Sequence, residues 1–247
     1  MPLPIFNKKK LSGIPQQYIL DLAKLMLRFK CNKTLTYLEV GAYNGLDYSN
    51  TLCLHQELGW NGLLVEPIKH YFEECLKNRP NDTCVNALLS SNETAEMLIL
   101  KAGPMSQVAT GKNRGMSLGS KLKRFLIQLI PRAYRSGREE WIRTTTVNNI
   151  CAENDIKELN FISCDVEGME HLVLNGINFN KLDVLAILVE VRPHNIMSIL
   201  ELLLPAGFVC AEAMSRFNEQ DNPLWDGSHQ DFLFLRRDFM AWAANDD

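Results

Sequence analysis

The segment YLEVGAYNGLDYSNT, residues 37–51, begins with apolar residues and ends with small and polar ones. It holds two glycines four positions apart, Gly41 and Gly45. This pattern is typical of the turn that joins the first strand to the first helix in a nucleotide-binding α/β fold. In such folds, ligands bind at the carboxyl ends of the strands, where the strand order reverses. The segment therefore predicts a ligand site beside the first strand.

The rest of the chain alternates strand-like and helix-like segments. The strand-like segments are 35–41, 61–67, 82–90, 95–102, 159–168, 184–191, 208–214 and 231–237. A helical pattern at 13–30 precedes them, and further helical patterns separate most of them. The alternation predicts a Rossmann-like, doubly wound α/β fold with a mostly parallel sheet and an antiparallel strand at its C-terminal edge. We expect a single domain over residues 1–247.

Composition argues against several partners and cofactors. The net charge is −3, so we do not expect the whole chain to bind a polyanion. Seven cysteines without a C-x-x-C pair favour reduced thiols over a disulfide framework or a zinc site. The first residues, MPLPIFNKKKLSG, lack the apolar region of a signal peptide. No run approaches the roughly 18 apolar residues that a membrane span needs. We therefore expect a cytoplasmic protein.

The glycine turn favours a ligand without a pyrophosphate. In the dinucleotide pattern G-x-G-x-x-G, the three glycine positions fall here on Glu39, Gly41 and Asn44. A carboxylate at the first position repels a pyrophosphate, which disfavours NAD and FAD. S-adenosylmethionine carries a sulfonium, an ammonium, a carboxylate and a ribose diol, and it suits an acidic turn. The alternative is a glycine-tightened turn in a Rossmann-like sheet of another function.

Glu66 supports the same ligand. It ends the second predicted strand, 21 residues after Gly45. An acid about 20 residues beyond the glycine turn is where a carboxylate accepts hydrogen bonds from two ribose hydroxyls. The turn and the acid together are more specific than either feature alone.

Two separated motifs resemble the FkbM-like family of S-adenosylmethionine-dependent methyltransferases. The first is GAYNGLDYSNTLCLHQELGWNGLLVEP, residues 41–67, and the second is FISCDVEGMEHLVLNG, residues 161–176. The segments VEVRPHN and DFLFLRR also resemble that family, whereas residues 101–143 do not. The resemblance implies a Rossmann-like methyltransferase fold. It also implies O-methylation of sugars or polyketide-type natural products, which is the reaction of most characterised members of that family.

Position in the fold then gives each residue of the first motif a role toward the cofactor. Glu39 is expected near the methionine ammonium, and Glu66 at the ribose diol. Gly41, Ala42 and Gly45 are expected to let the backbone approach the cofactor.

Two further pairs complete the predicted cofactor site. Ser49 and Asn50 are expected to begin the next helix, whose N-terminal N–H groups favour the cofactor carboxylate. The Asn86–Ala87 strand end is the candidate for the adenine edge.

The second motif supplies the candidate catalytic residues. Asp165 is expected to face the methyl group or the methionine end of the cofactor. Methylation of a hydroxyl benefits from a base, and Asp165 and Glu167 are candidates. Glu167 is equally suited to capping the helix that follows it. The other candidate bases are His171, His194 and His229.

A metal is not predicted. Asp165 and Glu190 end adjacent predicted strands, and Asn195 follows closely. Carboxylates and an amide at comparable strand ends hold magnesium in catechol-type O-methyltransferases, and magnesium prefers oxygen ligands. The FkbM-like pattern carries no recognised metal set, however, and acids at strand ends are common.

A basic segment separates the two motifs. Residues 112–143 contain nine Lys or Arg and two Glu, a local net charge of +7. Within it, residues 118–130 have the pattern of an amphipathic helix. The commonest fate of such a pattern is a packed helix with a solvated basic face. The functional alternatives are a lid over the acceptor, a clamp for an anionic substrate, or a weak membrane-surface contact through 118–135.

The sequence thus predicts an S-adenosylmethionine-dependent O-methyltransferase that acts on a small-molecule or glycan acceptor. One alternative is a domain that binds the cofactor or serves as a scaffold without catalysis. Another is a nucleic-acid-modifying methyltransferase, which rests on the basic segment alone, so the nucleic-acid signal is not strong. The sequence does not predict the oligomeric state.

Overall fold

The computed structural model describes residues 16–31, 33–93, 96–100, 107–109, 139–213 and 229–245. The strands are β1 (Thr36–Val40), β2 (Asn61–Val65), β3 (Thr83–Val85), β4 (Leu88–Leu89), β5 (Glu96–Leu100), β6 (Gln107–Ala109), β7 (Glu139–Thr145), β8 (Phe161–Cys164), β9 (Ala186–Val191), β10 (Phe208–Ala213) and β11 (Gln230–Arg236). The helices are α1 (Gln16–Phe29), α2 (Leu52–Leu58), α3 (Lys69–Asn78), α4 (Val147–Glu153), α5 (Glu170–Asn175), α6 (Ile196–Leu203) and α7 (Arg237–Ala243).

Within these ranges the main sheet has seven strands in the order β10-β11-β9-β8-β1-β2-β3. Strand β1 pairs in parallel with β2 on one side and with β8 on the other. The chain therefore builds outward from β1 through β2 to β3, and then returns to build the other half from β8. This reversal beside β1 is the switch point of a doubly wound sheet, and it confirms the predicted Rossmann-like α/β fold.

The C-terminal strands differ from the prediction in one detail. Strand β11 is antiparallel to both β9 and β10. It lies between them, so the antiparallel strand is one position inside the sheet and β10 forms the edge.

The core consists of two apolar layers, one on each face of the sheet. Side chains of α4, α5 and α6 pack in the first layer, and side chains of α1, α2 and α7 pack in the second. All six residues of β9 are buried, and its apolar side chains divide between the two layers. Burial on both faces explains why the central strands read as continuous apolar runs.

The third predicted strand, 82–90, is two short strands. Strand β3 joins the main sheet beside β2, whereas β4 pairs with β7 in a second sheet of order β4-β7-β5-β6. Strands β6 and β7 and helices α4 and α7 were not predicted. Thr146 begins α4, because its side chain accepts a hydrogen bond from the Asn149 N–H.

The basic segment 112–143 falls largely outside the described residues, which resume at 139. Residues 139–143 belong to strand β7. The predicted lid, the anionic clamp and the membrane-surface contact through 118–135 therefore stay predictions. Within the described ranges, no helix is long and apolar enough to cross a bilayer. All seven cysteines are free thiols, and two of them, Cys31 and Cys210, are exposed.

Candidate functional site

The carboxyl ends of β2, β1, β8 and β9 lie side by side along one edge of the sheet. We call this the carboxyl edge. The glycine turn, residues 41–49, follows β1, and Glu66 follows β2. Asp165 follows β8, and Glu190 lies near the end of β9. The switch point therefore brings the two sequence motifs together, as their positions predicted.

The two glycines of the turn are required by the protein itself. Gly41 and Gly45 have φ angles of 83° and 78°, in the left-handed region that favours glycine. A Cβ atom on Gly41 would overlap the backbone carbonyl oxygen of Asp165, and one on Gly45 would lie 2.9 Å from the Arg79 Cγ. The glycines thus allow the turn to pack against β8 and α3. Ala42 is buried beside them.

Glu39 organises the far end of the turn. Its carboxylate accepts hydrogen bonds from the Ser49 hydroxyl at 2.8 Å, the Asn50 N–H at 2.8 Å and the Thr51 hydroxyl at 2.7 Å. These donors take three of the roughly four acceptor positions of a carboxylate. Burial raises the pKa of Glu39, and the hydrogen bonds oppose that rise. The structure thus gives Glu39 a role in holding the chain, and its predicted contact with the methionine ammonium stays a prediction.

Ser49 and Asn50 precede the helix instead of beginning it. Helix α2 starts at Leu52, after the two residues that were expected to begin it. The Ser49 hydroxyl oxygen lies 3.3 Å from the Thr51 N and 3.1 Å from the Leu52 N, both of which donate to it. The N–H groups expected to hold the cofactor carboxylate therefore already donate within the protein.

Glu66 retains capacity for a ligand. One carboxylate oxygen accepts from the Tyr43 N–H at 3.0 Å, and the other accepts from the Ile68 N–H at 2.8 Å. Each oxygen therefore keeps one acceptor position. The residue is 6% exposed, and burial raises its pKa to about 7. A buried carboxylate with one free position on each oxygen suits a diol that donates two hydrogen bonds.

Asn86 and Ala87 lie next to Glu66. The Asn86 side-chain amide donates to the Glu66 carbonyl oxygen at 2.8 Å and to the Pro67 carbonyl oxygen at 3.0 Å. Ala87 is partly buried beside it. This pair therefore lies beside Glu66, and its contact with the adenine stays a prediction.

Asp165 is the exposed acid of the carboxyl edge. Its backbone N–H donates to the Val40 carbonyl oxygen, which fixes the end of β8 against β1. Its side chain is exposed, and no donor among the described residues forms a hydrogen bond to its carboxylate. The surrounding protein desolvates the carboxylate and raises its pKa, although His229 and Arg192 oppose the rise.

Glu167 forms an ion pair, and another residue caps the turn. Glu167 has a φ angle of 57°, and its carboxylate accepts from the Arg192 guanidinium at 2.7 Å. The cap is Glu170, whose Oε1 accepts from the Val166 N–H at 3.1 Å and the Gly168 N–H at 2.8 Å. The sequence analysis gave Glu170 no role, although Glu170 is the final acid of the segment DVEGME, residues 165–170.

A charge cluster lies behind Asp165. Arg192 Nη2 is 2.8 Å from Glu190 Oε1, and His229 Nε2 is 3.8 Å from Glu190 Oε2. Burial and the neighbouring Asp165 charge raise the pKa of Glu190 to about 8. The Asn195 side-chain amide donates to Glu170 at 2.7 Å. Glu190 therefore shares its surroundings with a cation and a second acid, while Asp165 faces solvent.

Among the described residues, Asp165, Glu170 and Glu190 form a group that could ligate a metal ion. One carboxylate oxygen from each of Asp165, Glu170 and Glu190 lies within 4.8 Å of the others. Protein donors already occupy three acceptor positions of Glu170, and Arg192 supplies a positive charge to Glu190. The chemistry of the group therefore does not require a metal, and the absence of one stays a prediction.

Of the three candidate histidines, His229 lies against the acids, through its contact with Glu190. His194 is exposed beside Gly168. Burial and the neighbouring His194 lower the pKa of His171. The structure therefore associates one histidine with the charge cluster.

A sequence model of the methyltransferase FkbM domain matches residues 39–210. No match is found among curated proteins. Among solved structures, the chain is similar to a precorrin-6y C5,15-methyltransferase from Geobacter metallireducens, with 13% identity over 94% of this chain and 93% of that chain and a TM-score of 0.43.

Two other similar structures are also methyltransferases by description. A TehB-like SAM-dependent methyltransferase from Corynebacterium glutamicum has 11% identity, 90% and 95% coverage and a TM-score of 0.41. A putative RNA methyltransferase from Pyrococcus horikoshii has 10% identity, 96% and 90% coverage and a TM-score of 0.38. The fold assignment rests on strand order and pairing and does not depend on these likenesses.

Proposed function

The chain belongs to the methyltransferase FkbM domain family, and we propose that it transfers a methyl group from S-adenosylmethionine to a hydroxyl oxygen of a sugar or natural-product acceptor. The observation that carries the cofactor is Glu66. It is a buried carboxylate at the end of β2, with one acceptor position left on each oxygen. A ribose diol supplies the two donors that complete it, and this removes part of the cost of burying the charge.

S-adenosylmethionine supplies a methyl group on a sulfonium, which an acceptor oxygen takes by in-line displacement. Glu66 and the glycine turn hold the ribose end, and Asn86 with Ala87 borders the adenine. The site then leaves Asp165, two strands away from Glu66, to face the acceptor. This placement separates the residues that bind the cofactor from those that act on the acceptor.

Asp165 is the base in this proposal. It would accept the proton of the acceptor hydroxyl, whose oxygen would take the methyl group that bound S-adenosylmethionine supplies. A carboxylate with a raised pKa is a stronger base than an ordinary aspartate, which favours this step. The Arg192 guanidinium lies against both Glu167 and Glu190, so the cluster limits the negative charge around Asp165.

Calorimetric titration with S-adenosylhomocysteine tests the cofactor assignment. Wild type should bind it, and NAD should give no binding heat. Glu66→Ala should weaken binding by about 1–3 kcal/mol, the range for losing hydrogen bonds to a charged group. Glu73→Ala is the matched control, because Glu73 lies on nearby α3 with a side chain that is 51% exposed. Equal affinities of wild type and Glu66→Ala would remove Glu66 from the site.

A transfer assay with a labelled methyl donor tests the acceptor class. We expect methylation of hydroxyl acceptors in a panel of sugars and polyketide-type compounds. Transfer to an RNA or to an amine, with none to any hydroxyl compound in the panel, would contradict the proposal.

A further inference from the structure

A buried arginine contacts the glycine turn from the interior of the protein. Arg79 follows α3 and is 1% exposed. Its Nη1 donates to the Gly45 carbonyl oxygen at 2.9 Å and to the Ser49 hydroxyl oxygen at 3.5 Å. One guanidinium nitrogen thus connects two points of the turn, four residues apart.

The rest of the guanidinium is anchored in the core. Arg79 Nε donates to Asp82 at 2.7 Å, and Nη2 donates to the Tyr37 hydroxyl on β1. The Tyr37 hydroxyl in turn donates to Asp82 at 2.9 Å. His55 Nδ1, on α2, lies 3.3 Å from the other Asp82 oxygen. The cation therefore joins the turn to a strand, a helix and a buried acid.

The turn that Arg79 contacts is strained. Tyr43 and Tyr48 have φ angles of 50° and 61°, which non-glycine residues rarely adopt. Such conformations persist only where the surrounding structure determines them. Arg79 holds Gly45, which lies between these two tyrosines, and Ser49, which directly follows the second. Its contacts therefore supply part of the restraint that the strained residues require, together with contacts such as that of Cys75 Sγ with the Tyr43 carbonyl oxygen.

The turn also sets the orientation of Glu66. The Tyr43 N–H donates to one Glu66 oxygen, so a shift of the turn moves the donor that orients this carboxylate. At the other end, the Ser49 hydroxyl donates to Glu39, which links the same restraint to β1. Arg79 is thus connected through the backbone to the residue that carries the cofactor assignment.

We propose that Arg79 is a positioning residue, which fixes the glycine turn from the protein side and thereby orients Glu66 for the ligand. The inference rests on the proposed function in so far as the ligand is S-adenosylmethionine. The order of the turn itself can be measured without any ligand, so the two ideas can fail separately.

The test compares two Arg→Lys substitutions. Arg79→Lys keeps the charge but cannot serve Gly45, Asp82 and Tyr37 together. Arg236→Lys is the matched control, because Arg236 is a partly buried arginine that pairs with Asp183 and Asp238 at the opposite edge of the sheet. Each variant is measured for its affinity for S-adenosylhomocysteine, its thermal midpoint and the amide hydrogen exchange of residues 43–50 without ligand.

Arg79→Lys should weaken binding about tenfold or more, as the loss of a hydrogen bond from a charged group predicts, and it should speed exchange in 43–50. Arg236→Lys should lower the thermal midpoint and leave both other quantities unchanged. Unchanged exchange in 43–50 for Arg79→Lys would overturn the proposal, as would an equal loss of affinity in both variants.

Two further outcomes are also decisive. If wild type does not bind S-adenosylhomocysteine, the proposed function fails, and the exchange comparison still decides whether Arg79 orders the turn. If Arg79→Lys does not fold, Asp82→Asn replaces it, because it keeps the guanidinium and removes its charged anchor. Asp82→Asn should then speed the exchange of residues 43–50 relative to wild type. Exchange at the wild-type rate in these residues would refute the proposal.

Discussion

Acids at the two ends of the strands in the main sheet have pKa values shifted in opposite directions. We call the end opposite the carboxyl edge the amino edge. At the amino edge, before β9, Asp183 accepts hydrogen bonds from Lys30 and Arg236, and Arg236 also pairs with Asp238 at 2.6 Å. Burial tends to raise the pKa of Asp183, but these cations lower it overall. The pKa of Asp238 is lowered in the same way.

At the carboxyl edge, burial raises the pKa values of Glu66 and Glu190, and the pKa of the exposed Asp165 is raised by the surrounding protein, which desolvates it. Here the protein supplies too few donors or cations to offset the burial. Acids that are compensated stabilise a fold, whereas acids that are kept under-compensated are characteristic of functional sites. The contrast assigns stability to the amino edge and ligand chemistry to the carboxyl edge.

The largest expected effect is on methyl transfer at the carboxyl edge. Asp165→Asn should reduce turnover by about 10²–10⁴-fold, the usual contribution of a general base. Its affinity for S-adenosylhomocysteine should stay within a few-fold of wild type, which separates catalysis from binding. Asp183→Asn, the same change at the amino edge, should leave turnover of the folded protein unchanged. A loss of affinity that parallels the loss of rate would make Asp165 a cofactor contact instead of a base.

The next effect is on stability at the amino edge. Asp183→Asn should lower the free energy of unfolding by about 1–2 kcal/mol, below the cost of breaking a fully buried pair because the side chain is 28% exposed. Urea denaturation at neutral pH measures it. Asp165→Asn should lower stability less or raise it, because it removes a charge that repels the neighbouring Glu170 and Glu190. Equal losses in both variants would erase the contrast between the edges.

The pH dependence of stability should have opposite signs at the two edges. The folded pKa of Asp183 is lowered, so its stabilisation is present above the usual aspartate pKa of about 3.9 and is lost as the pH falls through the folded value. The folded pKa values of Glu66 and Glu190 are raised to about 7 and about 8, so their protonated forms favour the folded state at low pH. That advantage declines as the pH rises from about 4 to about 8.

Urea denaturation of Glu66→Gln from pH 4 to pH 8 isolates the carboxyl-edge contribution. The variant should show a smaller fall in stability over this range than wild type, because glutamine does not ionise. Asp183→Asn should retain the wild-type fall and change the acid limb instead. A steeper fall in Glu66→Gln than in wild type would contradict the assigned sign.

The smallest effect is expected from metal removal. Arg192 already lies against Glu190, and Glu170 is occupied by backbone and amide donors, so turnover should survive dialysis against EDTA. Restoration of a lost activity by Mg²⁺ would show that a metal ion, and not the Arg192 guanidinium, balances the charge of the carboxyl edge.

Local sequence pattern was enough to predict the fold and to bring Glu66 and Asp165 to one edge of the sheet. The apolar runs of β1, β2, β8 and β9 and their connecting helices determine a doubly wound sheet, and position then places Glu66 and Asp165 at one edge. The start of α2 was misplaced because Ser49 and Asn50 resemble helix-starting residues. In the structure they instead donate to Glu39, which lies ten and eleven residues earlier in the chain.

Partners that are distant in sequence could not be predicted. Arg79 reaches a turn more than thirty residues earlier, and Arg192 pairs with an acid 25 residues earlier. An arginine after a helix or a strand reads as a surface residue unless the packing of strands and loops is known. The roles of Arg79 and Arg192 therefore emerge only from the tertiary structure.

The most direct test of the contrast is the footprint of S-adenosylhomocysteine in amide hydrogen exchange of the wild-type protein. We expect ligand binding to slow amide exchange at the carboxyl edge, in residues 41–50, 66–72 and 165–170. Residues 183–186 and 236–243 at the amino edge should exchange at the same rate with and without ligand. Protection at the amino edge, or none at the carboxyl edge under saturating ligand, would contradict the assignment of ligand chemistry to that edge.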